Sequence, residues 1–141
     1  MSRIYWDSML FIYLLEGHAT FSARAQQLLD RSYHREDTLF TSYLALGEVM
    51  AGAEKSPYSV KAQEMRNTIT EMGFSFLPFD SGAVEAFVLL RTKEKLKIAD
   101  SIHLACAASA GIDLFLTGDK QPARLDIPGI QFIADFNNPV L

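Results

Sequence analysis

The chain alternates short apolar runs rich in β-branched and aromatic residues with longer stretches whose apolar positions return every three or four residues. "RIYW", residues 3–6, is the first short run and predicts a strand, and Asp7-Ser8 behind it is N-cap chemistry for a helix over "MLFIYLLEG". "TFSARAQQLLDRSY" puts Phe21, Ala25, Leu28 and Leu29 on helical spacing ahead of the polar connector "HREDT", which predicts a second helix. "LFTS", residues 39–42, predicts a strand, and "YLALGEVMAGAEK" after it a helix that frays near Gly52. Residues 58–72 are amphipathic and close at Gly73; "FSFLPF" is then a strand stopped by Pro78. Asp80-Ser81 caps the next helix, "AVEAFVLLRTKEKL", which persists until charge takes over. "ADSIHLACAASAG" is helical to Gly111, "DLFL" is a buried strand, and "IQFIA", after the proline-containing loop 121–129, is the last one. Strands separated by helices imply parallel pairing through crossovers, hence an α/β fold with a helix-covered central sheet. No internal repeat, linker or low-complexity tract interrupts the pattern.

Composition narrows the reading. A length of 141 residues predicts one domain, 1–141, large enough to bury a core without staples. Apolar residues make up 49% and charged residues 21%, a globular balance. Cys106 is the single cysteine and sits among alanines, which excludes a disulfide framework and a cysteine-rich metal site and makes a reducing cytoplasm the expected location. No apolar run reaches the roughly 18 residues of a membrane span, and no signal-type segment opens the chain. The net charge of −4 argues against a fold-wide basic surface, so any nucleic-acid contact has to be local.

The carboxylates supply the candidate chemistry. In open parallel sheets, ligands bind beyond the carboxyl ends of the strands, near the switch in strand order. Asp7 directly follows the first strand, Asp119 lies three residues beyond "DLFL", Asp100 opens the helix feeding that strand, and Glu48 lies in the helix after "LFTS". Each has a plain structural reading: Asp7 and Asp100 as helix caps, Glu48 as a solvated helix residue, Asp119 as turn chemistry in "TGDK". Brought together at one end of a sheet, four carboxylates would repel, and a hard divalent cation such as Mg²⁺ or Mn²⁺ is the compensating charge.

The order and context of these residues resemble the PIN-domain family, in particular the VapC-like toxins of bacterial and archaeal toxin-antitoxin pairs. "IYWDSMLFIYLLE" around Asp7, "TSYLALGEVMAG" around Glu48, "LKIADSIHLACAASAGIDLFLTGDK" around Asp100 and Asp119, and the terminal strand carry the likeness, which runs over almost the whole chain. The resemblance implies a three-layer α/β/α sandwich with a mostly parallel five-stranded sheet, and a metal-dependent endoribonuclease whose acidic cluster, Asp7, Glu48, Asp100 and Asp119, binds Mg²⁺ or Mn²⁺. It also implies an antitoxin partner and a homodimer. Two positions after its first aspartate the family frequently carries Asn; this chain has Met9, leaving Ser8 and Thr117 as the polar groups expected to support the ligands.

Phosphodiester hydrolysis needs the scissile phosphate neutralised and a water made nucleophilic near neutral pH; a divalent ion serves both needs, with a carboxylate accepting the proton. Arg91, Lys93, Lys95 and Lys97 before Asp100, and Lys120 beside Asp119, are candidates for steering RNA phosphates, set against a simply solvated charge run. His103, one turn after Asp100, reads first as a satisfied core or helix-surface histidine, and Trp6 as core packing. The helices at 9–16, 21–33 and 44–53 offer apolar surface for an antitoxin segment, with a basic side chain directed at the acidic cluster. Two rival readings keep the fold. One is an interaction or RNA-binding module without metal; the other is an aspartyl-phosphate hydrolase or receiver using Asp7, whose usual second aspartate two positions on is Met9 here.

Overall fold

The computed structural model describes residues 1–55, 61–118 and 125–136. The described chain runs β1 (Arg3–Trp6), α1 (Ser8–Leu15), α2 (Ser22–His34), β2 (Thr38–Ser42), α3 (Tyr43–Lys55), α4 (Ala62–Glu71), β3 (Phe74–Leu77), α5 (Ser81–Thr92), α6 (Ile98–Ala110), β4 (Ile112–Thr117) and β5 (Ile130–Asp135). All five strands are parallel, in the order β3-β2-β1-β4-β5. The strand order reverses between β1 and β4, so the crevice beyond their carboxyl ends is the switch point of the sheet.

Strand alternation decides which side chain serves which layer. Ile4 and Trp6 of β1, Leu39 of β2 and Leu114 and Leu116 of β4 point to one face, where they pack with Leu10 and Phe11 of α1, Leu28 of α2, Val49 of α3 and Ile69 of α4. Tyr5, Phe40 and Phe115 point to the other, against Leu90 of α5 and Leu104 and Ala105 of α6. The expected α/β/α sandwich is therefore the one observed, with four helices on one side and two on the other. Trp6 is fully buried between Phe11 and Phe74, as core packing requires.

One boundary differs from the periodicity. Helix α3 does not fray at Gly52 but continues to Lys55, because Ala53 beyond the glycine is buried in the core shared with α4. Tertiary burial there outweighs the propensity cost of a helical glycine, about 1 kcal/mol. Strand β3 ends at Leu77, stopped as expected by Pro78, whose missing N–H cannot continue a ladder. The helix expected from residue 58 is seen from Ala62; residues 56–60 lie outside the described residues. Among the described residues, no helix is long and apolar enough to cross a membrane.

Arg3 ties the sheet to the end of α6. Its Nε donates to Gly111 O and its Nη2 to Ala110 O, both at 2.9 Å, and its guanidinium lies 4.4 Å from the centre of the Phe40 ring. The last helical carbonyls thus receive a cation at the negative end of the dipole. Arg3→Ala is expected to cost about 1–2 kcal/mol in urea unfolding, the sum of two charge-assisted bonds made at the surface and a modest cation–π contact.

Candidate active site

Asp7 stands at the switch point. Its backbone N–H continues the β1–β4 ladder by donating to Leu116 O at 3.1 Å, and its side chain turns to cap α1, with Oδ1 accepting from Met9 N at 3.0 Å. Oδ2 accepts from Gly118 N at 3.2 Å, and the Thr117 hydroxyl hydrogen-bonds the same carboxylate. Gly118 is suited to this close approach: a Cβ there would lie 3.1 Å from Met9 Cβ and 3.4 Å from the Tyr13 hydroxyl. The helix-cap reading of Asp7 is thus correct, and it coexists with a place in a cleft.

That cleft is lined by Asp7, Asp100, His103, Leu104, Phe115 and Thr117. Asp100 is not a cap; Lys97 is the N-cap of α6, and Asp100 lies in its first turn, partly exposed. The spacing of Asp100 and His103 puts both on one face of α6, while Tyr5 and Asp7, two apart on an extended chain, share the sheet face that α6 covers. This combination of two periods brings the four residues to one place.

Glu48 reaches the same region from α3, on the opposite layer. Its Oε1 lies 2.6 Å from His103 Nε2, and the Ser8 hydroxyl also hydrogen-bonds it. The contact with His103 holds its carboxyl below the usual range against the opposing effect of burial. His103 is a buried, satisfied histidine, and its second ring nitrogen, Nδ1, lies 2.7 Å from the Tyr5 hydroxyl. Tyr5 and Ser42, which complete this chain at 2.8 Å, carried no motif signal in the sequence; only strand alternation places them on the face of Asp7.

Asp7 behaves differently from Glu48. Burial pushes its carboxyl above the ordinary aspartate value, although Thr117, the His103 ring and the two backbone N–H groups pull the other way. A cation in the cleft would remove that imbalance, and the available donors are carboxylate oxygens, which suit a hard ion. Among the described residues, no group of three or more His, Cys, Asp or Glu side chains is placed to hold a metal ion. Mg²⁺ does not require one, since it is ordinarily held by one or two carboxylates, waters and substrate phosphates. The carboxylate oxygens at this end of the sheet are of the hard-donor type such an ion takes, and Glu48 is engaged by His103.

Asp119 and Lys120 lie outside the described residues. Lys93, Lys95 and Lys97 are exposed around the turn into α6, on the chain leading to Asp100. Asp135, which was not singled out in the sequence, is buried at the carboxyl end of β5 opposite Thr117.

A family model for the PIN domain matches residues 4–128. The chain belongs to the PIN-domain family. No curated protein matches it. Among solved structures, this PIN domain is similar to VapBC2 from Rickettsia felis bound to a DNA fragment from its promoter, with a TM-score of 0.75 and 15% identity over 94% of this chain and 98% of that one. A toxin-antitoxin complex from Klebsiella pneumoniae matches with a TM-score of 0.68 and 28% identity, over 90% and 94% of the two chains. Mycobacterium tuberculosis VapC20, a toxin that cleaves the sarcin-ricin loop, matches with a TM-score of 0.64 and 16% identity, over 87% and 96%. The PIN fold of this chain is thus the VapC-like form.

Proposed function

We propose that this PIN domain is a divalent-metal-dependent endoribonuclease and the toxin of a toxin-antitoxin pair. The observation that carries the reading is the meeting of Asp7 and Asp100 in one cleft at the switch point of the sheet, with Glu48 reaching it from the opposite helical layer. Asp7 and Asp100 would hold the ion, Mg²⁺ or Mn²⁺, with Glu48 and Asp119 completing the site. When bound, such an ion supplies charge for the scissile phosphate and lowers the pKa of a water.

The chain's own residues supply orientation and charge. Two backbone N–H groups and the Thr117 hydroxyl fix the Asp7 carboxylate, and Ser8 fixes Glu48, so the support absent at Met9 is provided by Thr117 and Ser8. Lys93, Lys95, Lys97 and Lys120 would meet RNA phosphates without reading bases, which suits recognition by shape and backbone. The reading includes an antitoxin segment seated against α1, α2 and α3, a homodimer and a cytoplasmic location. Its support is the toxin-antitoxin character of the similar structures.

The test is cleavage of structured and unstructured RNA by the purified protein with Mg²⁺, with Mn²⁺ and with chelator. Cleavage in either metal that chelator abolishes is expected; cleavage unaffected by chelator rejects the metal-dependent mechanism, and intact RNA under every condition rejects the nuclease.

A further inference from the structure

The acidic cleft has two unlike flanks, one on each layer of the sheet. On the α6 side, the chain leading to Asp100 carries Lys93, Lys95 and Lys97, all exposed. On the α1 side stand Met9, 39% exposed, and Tyr13, half-buried, one turn apart on the same helix face. Both border Gly118: a Cβ there would lie 3.1 Å from Met9 Cβ and 3.4 Å from the Tyr13 hydroxyl, while the Gly118 N–H donates to Asp7 Oδ2. The apolar flank therefore begins against the residue that holds the Asp7 carboxylate.

Beyond Tyr13 the flank continues as rings. Tyr13 meets His18 edge-on with centroids 5.2 Å apart and stacks on Phe136 at 5.0 Å, and His18 lies flat on Phe21 at 4.8 Å with planes 16° apart. His18 is exposed, yet its ring is fixed: Nδ1 accepts the backbone N–H groups of Thr20 and Phe21 at 3.1 and 3.2 Å. An exposed ring already held in one orientation presents aromatic surface at little further entropy cost. Arg24 adds a cation beside these rings, its Nε donating to Phe136 O at 3.0 Å. A nucleic-acid single strand has the same two sides, an anionic backbone and planar apolar bases, and sites that bind it pair a cationic track with aromatic side chains.

We propose that Met9, Tyr13 and His18 form a stacking ledge for one unpaired nucleobase next to the phosphate at the cleft, so that the RNA this domain takes is single-stranded or looped where it is cut. The lysines before α6 would hold the backbone on the opposite flank, and Met9 supplies an adaptable apolar edge. The proposal deepens the nuclease reading and rests on it for the position of the phosphate. Stacking accepts any base, since each has a π-face, so the ledge selects an unpaired strand and not a sequence.

The decisive variant is His18→Asn, which keeps a side-chain acceptor for the Thr20 and Phe21 N–H groups and removes the ring. The probe is a short single-stranded RNA containing 2-aminopurine, bound to the full chain in chelator so that the strand stays intact. The wild type is expected to quench the probe on binding. His18→Asn is expected to weaken binding roughly tenfold and relieve the quenching with an unchanged circular dichroism spectrum, and Met9→Ala to weaken binding by a smaller factor. Lys97→Gln is expected to weaken binding with a shallower salt dependence while the bound probe stays quenched. A fully paired duplex of the same sequence is expected to compete about tenfold less well than the single strand. Under cleavage conditions, His18→Asn should raise KM more than it lowers kcat. No quenching by the wild type, or a duplex that competes as well as the single strand, overturns the ledge. Quenching and affinity unchanged in both His18→Asn and Met9→Ala also overturn it, and leave that surface to a protein segment. If the binding results hold and no RNA is cut under any condition, the nuclease reading falls alone.

Discussion

Asp7→Asn is expected to lower divalent-dependent RNA cleavage by about a thousandfold or more while leaving the fold intact. The magnitude follows from the several kcal/mol of charge stabilisation that a bound metal contributes, with each 1.4 kcal/mol worth about tenfold in rate. The fold should survive because Asn is itself a preferred N-cap and keeps one oxygen for the Met9 N–H that opens α1. The amide turned toward Gly118 gives up the 3.2 Å bond of the wild type, and the Thr117 hydroxyl can rotate to accept from it. Initial rates on one RNA substrate, with circular dichroism and urea unfolding of both proteins, check the outcome. Cleavage by the variant within tenfold of wild type would remove Asp7 from the mechanism.

The same substitution should have the opposite sign on stability when metal is withheld. A carboxyl whose pKa is raised in the folded state binds its proton more tightly there than in the unfolded chain. The native state then holds more protons through the window that opens near the unfolded aspartate value, about 3.9, and closes above the raised native value. Stability of the metal-free protein attributable to Asp7 therefore falls as pH rises through that window and stays reduced at neutral pH. Metal-free Asp7→Asn is expected to melt above the wild type at pH 7, with the difference vanishing toward pH 4. Added Mn²⁺ reverses the order: at a hundredfold excess over Kd, binding stabilises the wild type by about 2.7 kcal/mol, roughly 6–10 °C in Tm for a chain of this size, and the variant much less. Thermal melts across pH, with and without Mn²⁺, test both signs. A variant that gains as much from Mn²⁺ as the wild type would place the ion elsewhere.

Asp7 and Glu48 occupy the two ends of one design problem. Glu48 has a built-in partner in His103 and so stands ionised at modest cost; Asp7 is buried with hydrogen-bond donors but too little positive charge. Under the proposed function, a divalent cation would supply the charge that Asp7 is short of. The overlap of the Asp7 cap with the Asp7 cleft has the same origin: a strand end that feeds a helix exposes both orphan N–H groups and the crevice of the sheet.

Much of this was legible in the chain. Apolar runs such as "RIYW" and "DLFL", bounded by turn signals, read as short strands, and their separation by helices implies parallel pairing, so the α/β class and the carboxyl-end position of Asp7 were expected from local pattern. The resemblance of four acidic contexts in order pointed to the PIN family, which the match over residues 4–128 establishes. What the pattern could not supply was the environment of each carboxylate. Glu48 lies 55 residues before His103, on a helix covering the other face of the sheet, and nothing in either neighbourhood announces the pair. His103 read as a satisfied histidine, and it is one; that its partner would be Glu48 depended on how α3 and α6 overhang the sheet's carboxyl edge. Tyr5 and Ser42 looked like ordinary strand residues, and α3 was expected to fray at Gly52 because propensity is local while the burial of Ala53 is not.

The sequence by itself determined the elements, their parallel arrangement and the residue types available for chemistry, since periodicity and turn chemistry act over a few residues. Only the tertiary structure decided which of those residues meet, which carboxylate is compensated and which is left short of charge, because burial and electrostatic compensation are set by neighbours that distant segments contribute.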